Sequence, residues 1–281
     1  MQQRVAVIIP TYNRKKTTER CVNSLINGTY KNIKIILCDS DSTDGTGSIF
    51  ENRNIHCSIN VGSDSWWTAA INQGVTIARL EAFDFIIIMN DDIDISKTLI
   101  EQLMEKALAN RESIISAAQK TKKGLFLGTR YISLFKYPVN LWSEELGPAM
   151  EVETSNGCCL LIPNHIFRRV GIFDELNCPQ HAGDIEFQLR ARRMGFITMS
   201  FPDIVIHQHD ATDYFGKLRL RVREIYTHKG SPLLISRHMA FGKQLFGSTA
   251  KYMLLGIYYH IGFIRTSIKA IYIALRNRHF R

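Results

Sequence analysis

Phe83-Asp84-Phe85-Ile86-Ile87-Ile88-Met89-Asn90-Asp91-Asp92-Ile93-Asp94 is the stretch on which the reading of this chain turns. Phe85 to Met89 run apolar without a break, the pattern of a strand covered on both faces in a mostly parallel sheet. The run ends abruptly in acids, which places carboxylates at the strand's carboxyl end, the edge where open α/β sheets bind ligands. Clustered carboxylates there repel one another unless a cation or hydrogen-bond donors lie between them, and a divalent metal holding a phosphorylated ligand is the natural candidate. The bland alternative is a solvated acidic turn with Ser96 capping the next helix.

Toward the N terminus the same design repeats. Val5 to Ile9 reads as a buried first strand, stopped by Pro10 and followed by Thr11-Tyr12-Asn13-Arg14. Val22, Leu25 and Ile26 then share one helix face, with Gly28 at the place of a C-terminal cap. Ile33 to Cys38 reads as a second strand, and it ends in Asp39-Ser40-Asp41-Ser42-Thr43-Asp44-Gly45-Thr46. The order is strand, helix, strand, with ligand-type residues at both strand ends. Neither G-x-G-x-x-G nor G-x-x-x-x-G-K-[ST] is present, which argues against a dinucleotide oxidoreductase and a P-loop hydrolase.

Those three segments, beginning at Val5, Asp39 and Asn90, resemble the successive motifs of family 2 glycosyltransferases, and the resemblance covers roughly residues 4–210. It implies a GT-A type α/β fold, a mostly parallel sheet flanked by helices. It also implies transfer of a sugar from a nucleotide diphosphate donor with inversion at the anomeric carbon, using Mg²⁺ or Mn²⁺. Position by position, Thr11, Asn13 and Arg14 would line the nucleotide site, Asp39 would receive the base, Asp91 would face the ribose and Asp92 would hold the metal. The chemistry of the residues agrees: a carboxylate accepts hydrogen bonds from a pyrimidine ring N–H, and hard oxygen ligands suit Mg²⁺ or Mn²⁺ bridging phosphates. Two positions depart from the family pattern. Ser40 stands where a second acid is common, leaving Asp41 one residue further on among the nucleotide contacts, and Asn90 replaces the first of three acids with an uncharged donor.

Asn60 to Gly74 resembles the loop and helix that pass beneath the donor in rhamnosyltransferase-like members, with Asn72 and Gly74 at matching places. Trp66 and Trp67 open that helix; either can stack on a sugar or base, or belong to the core, and Trp67 is taken as the donor-side candidate. Ser96 to Asn110 has a wide apolar helical face, Ile114 to Ala118 reads as a strand, and Lys120 to Gly147, with its glycines and Pro138, reads as irregular. Glu153 to Pro163, a polar start, Gly157 and then a strand-like apolar run, looks like the family's acceptor-side segment, with Cys158 and Cys159 small buried side chains rather than nucleophiles. Gly183-Asp184-Ile185-Glu186 begins a helix closed by Gly195, in which Glu186 and Arg190 form an i,i+4 pair. Asp184 has no such explanation. It is either an N-terminal cap or, as the resemblance implies, the general base that takes the acceptor hydroxyl's proton. Phe196 to Phe201 reads as a strand that stops at Pro202; after it, alternation in Ile204-Val205-Ile206-His207-Gln208-His209 puts His207 and His209 on one face, where an imidazole could complete the metal shell or contact the diphosphate, and His207 better matches the histidine that the resemblance places at the metal.

Charge divides the chain. Residues 216–281 hold 13 Lys+Arg and one acid, Glu224, so the overall +9 belongs to this tail while the remainder is slightly acidic. The division suggests a transferase domain over residues 1–213 and a basic amphipathic helical tail over 214–281. The tail is expected on an anionic membrane surface, with helices packed on the domain's flank as the alternative and no nucleic acid expected. The six cysteines form no metal-type or C-x-x-C spacing, and no stretch matches a signal peptide or a membrane span, which suggests a cytoplasmic protein peripheral to the membrane's inner face. The expected partners are a UDP- or dTDP-type sugar donor and a saccharide or lipid-linked acceptor for surface polysaccharide assembly. A homo-oligomer is left open. A sugar nucleotidyltransferase and a noncatalytic anionic-surface binder on a transferase-like fold are the competing readings.

Overall fold

Apolar runs too continuous to have a wet face form the centre of one sheet. A computed structural model describes residues 2–50, 56–132, 134–143, 147–208, 226–231, 233–248, 250–251, 254 and 257–276. In it β1 (Val5–Thr11) lies between β2 (Ile33–Asp39) and β4 (Phe85–Met89), parallel to both, and β3 (Cys57–Asn60) continues the parallel block beyond β2. Val5 pairs with both Ile33 and Phe85, so the polar ends of the three strands, at Thr11, Asp39 and Asn90, reach the same edge. On the other side of β4 the sheet continues with β10 (Cys159–Pro163), β6 (Ser113–Thr121), β11 (Ile197–Gln208) and β5 (Ile93–Asp94). There β10 runs antiparallel to β4 and β6, while β6 and β11 are parallel.

Alternate residues of β4 feed two cores, which explains why its sequence is apolar throughout. Phe85, Ile87 and Met89 meet α1 (Lys15–Ile26) and α3 (Leu99–Ala109) on one face. Ile86 and Ile88 meet α2 (Trp67–Leu80), α4 (Asn164–Val170) and α5 (Gly183–Arg193) on the other. The second layer is tight. A Cβ on Gly74 would lie 2.5 Å from Ile8 Cγ2, and the rings of Phe173 and Phe187 are 4.6 Å apart.

Two segments differ from expectation. Most of the residues described between 120 and 147 are strand rather than irregular: β7 (Gly124–Ile132) and β8 (Tyr137–Ser143) pair with each other and extend β6, and β9 (Met150–Val152) pairs with β11. Pro138 is tolerated because β8 is an edge strand, paired among the described residues only with β7, and Gly128 (φ +149°) sits where the register shifts and Thr154 O crosses closely. Likewise Pro202 does not end a strand. It falls within the irregularity between Phe201 and Val205, so β11 passes through it.

Part of the basic tail joins the domain. Helix α6 (Ile235–Phe246) packs Leu245 and Phe246 against Leu189 of α5, and Gln244 Nε2 donates to Glu186 Oε1 at 2.9 Å. Glu186 also makes the expected pair with Arg190, at 2.9 Å. The last helix described, α7 (Ile257–Arg276), follows. The expected boundary at 213/214, His209 and the basic alternation from Lys217 to Arg223 lie outside the described residues. Among the described residues, no helix is long and apolar enough to cross a membrane.

Candidate active site

At the shared edge the acids are held apart by donors. Asp91 follows β4 almost fully buried. Its Oδ2 lies 3.0 Å from the hydroxyls of both Thr11 and Thr18, and its Oδ1 accepts Arg14 Nη1 at 2.7 Å. Burial raises the Asp91 pKa above the ordinary carboxylate range, with Arg14 opposing that shift. For Arg14 burial works the other way, against the cation, but Asp91 and then Asp92 outweigh it and its pKa is raised. Asp92 is less engaged: Arg14 reaches its Oδ2 at 3.4 Å, and Gln208 Nε2 lies 3.2 and 3.3 Å from its two oxygens.

Gln208 is the end of a directional chain of amides. Asn156 Nδ2 donates to Gln119 Oε1, Gln119 Nε2 donates to Gln208 Oε1 at 2.8 Å, and Gln208 donates to Asp92. Each amide's acceptor end is occupied, so its N–H₂ must point onward; the polarity of the chain aims a donor at Asp92. Asn156 thereby ties the acid edge to the loop that carries Gly157.

Asp184 stands opposite, in the first turn of α5, and is not its N-cap: that place belongs to Ala182, and no side chain caps the helix. Gly157 makes room for it: a Cβ there would lie 2.9 Å from Asp184 Oδ2. Burial pushes the Asp184 carboxyl up to about 6, although the backbone N–H groups of Ile185 and Gly157 favour its ionised form. Asp184, Asp92, Asp91, Arg14, Trp66 and Gln208 all line one cavity of about 1100 Å³. Cys158 lines it as well, with its thiol pushed up by burial and kept protonated. The site thus offers a fixed cation beside two carboxylates on one wall, and on another a carboxyl able to exchange a proton near neutral pH.

The remaining candidates divide. Thr11 and Asn90 line the same cavity, as does Trp67, whose Nε1 donates to Asn90 Oδ1 at 3.2 Å. Asn13 (φ +49°) and Asp39 shape the neighbouring loop: Asn13 Oδ1 accepts Thr43 N at 2.8 Å, and Asp39 accepts Ser42 N at 3.1 Å. Asp41, at φ +65°, accepts Asn60 Nδ2 at 3.1 Å.

Asn72 is a correction. It is buried away from the cavity, where its amide pairs with both backbone groups of Phe173 and with Glu175, tying α2 to the loop before α5. His207 is another: it is exposed and stands opposite Asp94 of β5, while its neighbour Gln208 meets Asp92. The signal lay in the alternation itself, because buried Ile204 and Ile206 share their phase with Gln208. Sequence reasoning also missed Thr18, one turn inside α1, and Gln119, whose role depends on the pairing of β6 with β11.

Comparison with known proteins bears on this geometry. The model of Glycosyl transferase family 2 matches residues 6–176. An uncharacterized glycosyltransferase of Rickettsia typhi is 26% identical over 190 residues, 66% of this chain and 58% of its own length. This chain therefore spans little more than half of that relative. The N-acetylglucosaminyl-diphospho-decaprenol L-rhamnosyltransferase of Mycobacterium tuberculosis is 24% identical over 236 residues, 73% of this chain and 76% of that protein. Among solved structures, the mannosyltransferase PcManGT of Pyrobaculum calidifontis, in complex with GDP-Man and Mn²⁺, superposes with a TM-score of 0.59 at 16% identity, covering 98% of this chain and 74% of that one. At that identity the likeness is one of fold, and it is the GT-A fold.

Proposed function

Because the chain belongs to glycosyl transferase family 2, we propose that it is a metal-dependent inverting glycosyltransferase using a UDP- or dTDP-type sugar donor. The observation that carries the proposal is the convergence of Asp184, Asp92 and Arg14 on one cavity. Rhamnose is the first sugar to test, on the strength of the mycobacterial relative. A saccharide or lipid-linked acceptor in surface polysaccharide assembly, met at the inner face of the membrane, completes the reading.

The donor set fits Mg²⁺ or Mn²⁺. Among the described residues no cluster of three His, Cys, Asp or Glu side chains could hold a metal ion. Mg²⁺, however, is typically held by one or two carboxylates together with water and substrate phosphates, and Asp92 is the carboxylate at hand. Bound there, the ion would neutralise charge on the diphosphate leaving group. The chain's own residues account for the rest. Thr11, Thr18 and Arg14 fix Asp91 on the nucleotide side, and the Arg14 guanidinium supplies permanent positive charge beside the phosphates. The acceptor oxygen attacks the anomeric carbon, the bond from that carbon to the diphosphate breaks, and Asp184 takes the acceptor's proton. A carboxyl shifted to about 6 is ionised at neutral pH yet more basic than an ordinary aspartate.

Calorimetry with UDP- and dTDP-sugars tests the donor side. Binding should require Mg²⁺ or Mn²⁺, and Asp92→Ala should abolish that requirement together with activity. Equally tight binding in chelator by both proteins would overturn the metal assignment.

A further inference from the structure

Helix α7 presents an apolar stripe to solvent. Ile261, Ile264, Ile268 and Tyr272 are 42, 54, 62 and 64% exposed. Their spacing of three, four and four residues keeps them within an arc of roughly 80° at 100° per residue. The inner face is separately satisfied: Ser267 is buried, and Phe263 packs on His238 with ring centroids 4.0 Å apart. The stripe is therefore surplus to the fold. An open apolar groove of about 410 Å³, bounded by Ile264, Ile268, Phe263 and, from α6, Ile235, lies beside it and widens the surface. Exposed Ile235 and Met239 add to it.

We propose that this face docks on an anionic lipid bilayer, the stripe seated at the acyl boundary with Arg265 and Lys269 among the headgroups. The charges select the occupant. Arg265 and Lys269 are exposed and lie roughly 20° and 60° around the helix from the stripe's edge at Tyr272, at the same pitch. The helix sequence contains no acid at all, within a tail of 13 Lys+Arg and one acid. A second copy placed face to face would oppose these cations with cations. An anionic headgroup layer matches them while the stripe leaves water, the pattern of an interfacial helix rather than of a spanning one. The inference deepens the transferase reading by naming the surface on which a lipid-linked acceptor would be met, but it stands on the exposed faces of α6 and α7 and not on the active site.

Flotation of the full chain with phosphatidylcholine vesicles, with and without about a third phosphatidylglycerol, tests it. The wild type should float with the anionic vesicles and much less with the neutral ones. Arg265→Gln with Lys269→Gln should weaken partitioning roughly 10- to 30-fold at low salt, from the usual contribution of a basic residue near an anionic surface. Ile264→Asp with Ile268→Asp should remove the part of binding that salt leaves. Circular dichroism and nucleotide-sugar binding, both expected to match the wild type, separate lost docking from lost folding. Flotation indifferent to lipid charge and to both pairs of substitutions would overturn the proposal. So would a dimer, seen by light scattering, that Ile264→Asp with Ile268→Asp dissociates. Flotation that behaves as expected in a protein that binds no nucleotide sugar would leave the docking surface standing and refute the transferase reading.

Discussion

Replacing Asp184 by Asn tests its reading as a buried general base through pH. Burial raises this carboxyl from 3.8 to about 6, so the folded chain favours the protonated, neutral form. The unfolded chain binds fewer protons between those values, and stability contributed by the neutral form is lost as pH rises through that window. Two units correspond to about 3 kcal/mol, an upper value because Asp184 remains partly open to the cavity. Asn is uncharged at every pH and keeps an oxygen for the N–H groups of Ile185 and Gly157. The Asp184→Asn variant should therefore melt at the wild-type temperature near pH 4 and several degrees above it at pH 8, given about 2–4 °C per kcal/mol for chains of this size. Transfer should behave in the opposite sense. Wild-type kcat/KM should climb with pH through about 6 as the carboxylate forms, while the variant should be lower by about 10²- to 10⁴-fold and lack that rise. Thermal scans and initial rates at pH 4 to 8 measure both. Unchanged turnover would refute the general-base role of Asp184, and a melting difference independent of pH would refute the buried-carboxylate argument.

Gln119→Glu reverses one link in the amide chain, because a carboxylate cannot donate to Gln208 Oε1. It should raise the metal concentration needed for half-maximal rate about tenfold while leaving the melting temperature within a few degrees, and Gln119→Asn should not restore the wild-type value because it is too short to span the link. Gly74→Ala should destabilise by about 1–3 kcal/mol, the usual cost of overpacking, since its Cβ would meet Ile8 at 2.5 Å and Cys38 at 2.9 Å; denaturant midpoints read this directly.

Periodicity served well where each face of an element has one job. Phe85–Met89 forms the strand its apolar run predicts because both of its faces are covered, and the acids that follow reach the ligand edge because the parallel register aligns β1, β2 and β4. Glycine and proline misled. In residues 120–147 and at Pro202 they mark bulges and an edge strand, and the partners that make those conformations affordable are distant in sequence. The site shows the same limit. Asp91, Asp92 and Asp184 stand out because a carboxylate at an element's end needs explaining, whereas Gln119 and Gln208 are ordinary until β6 and β11 pair and bring their amides together. Asn72 illustrates the converse: its place in a motif suggested a ligand, and its amide instead fastens Phe173 and Glu175.

Sugar transfer itself is measured by incubation with UDP- and dTDP-linked sugars, dTDP-rhamnose first, in the presence of Mn²⁺ and lipid-linked or soluble saccharide acceptors. Mass spectrometry identifies the glycoside and proton NMR its anomeric configuration. The product should have inverted configuration, and chelator and Asp184→Asn should both suppress it. A retained configuration, or transfer that survives chelator and Asp184→Asn unchanged, would contradict the proposed function.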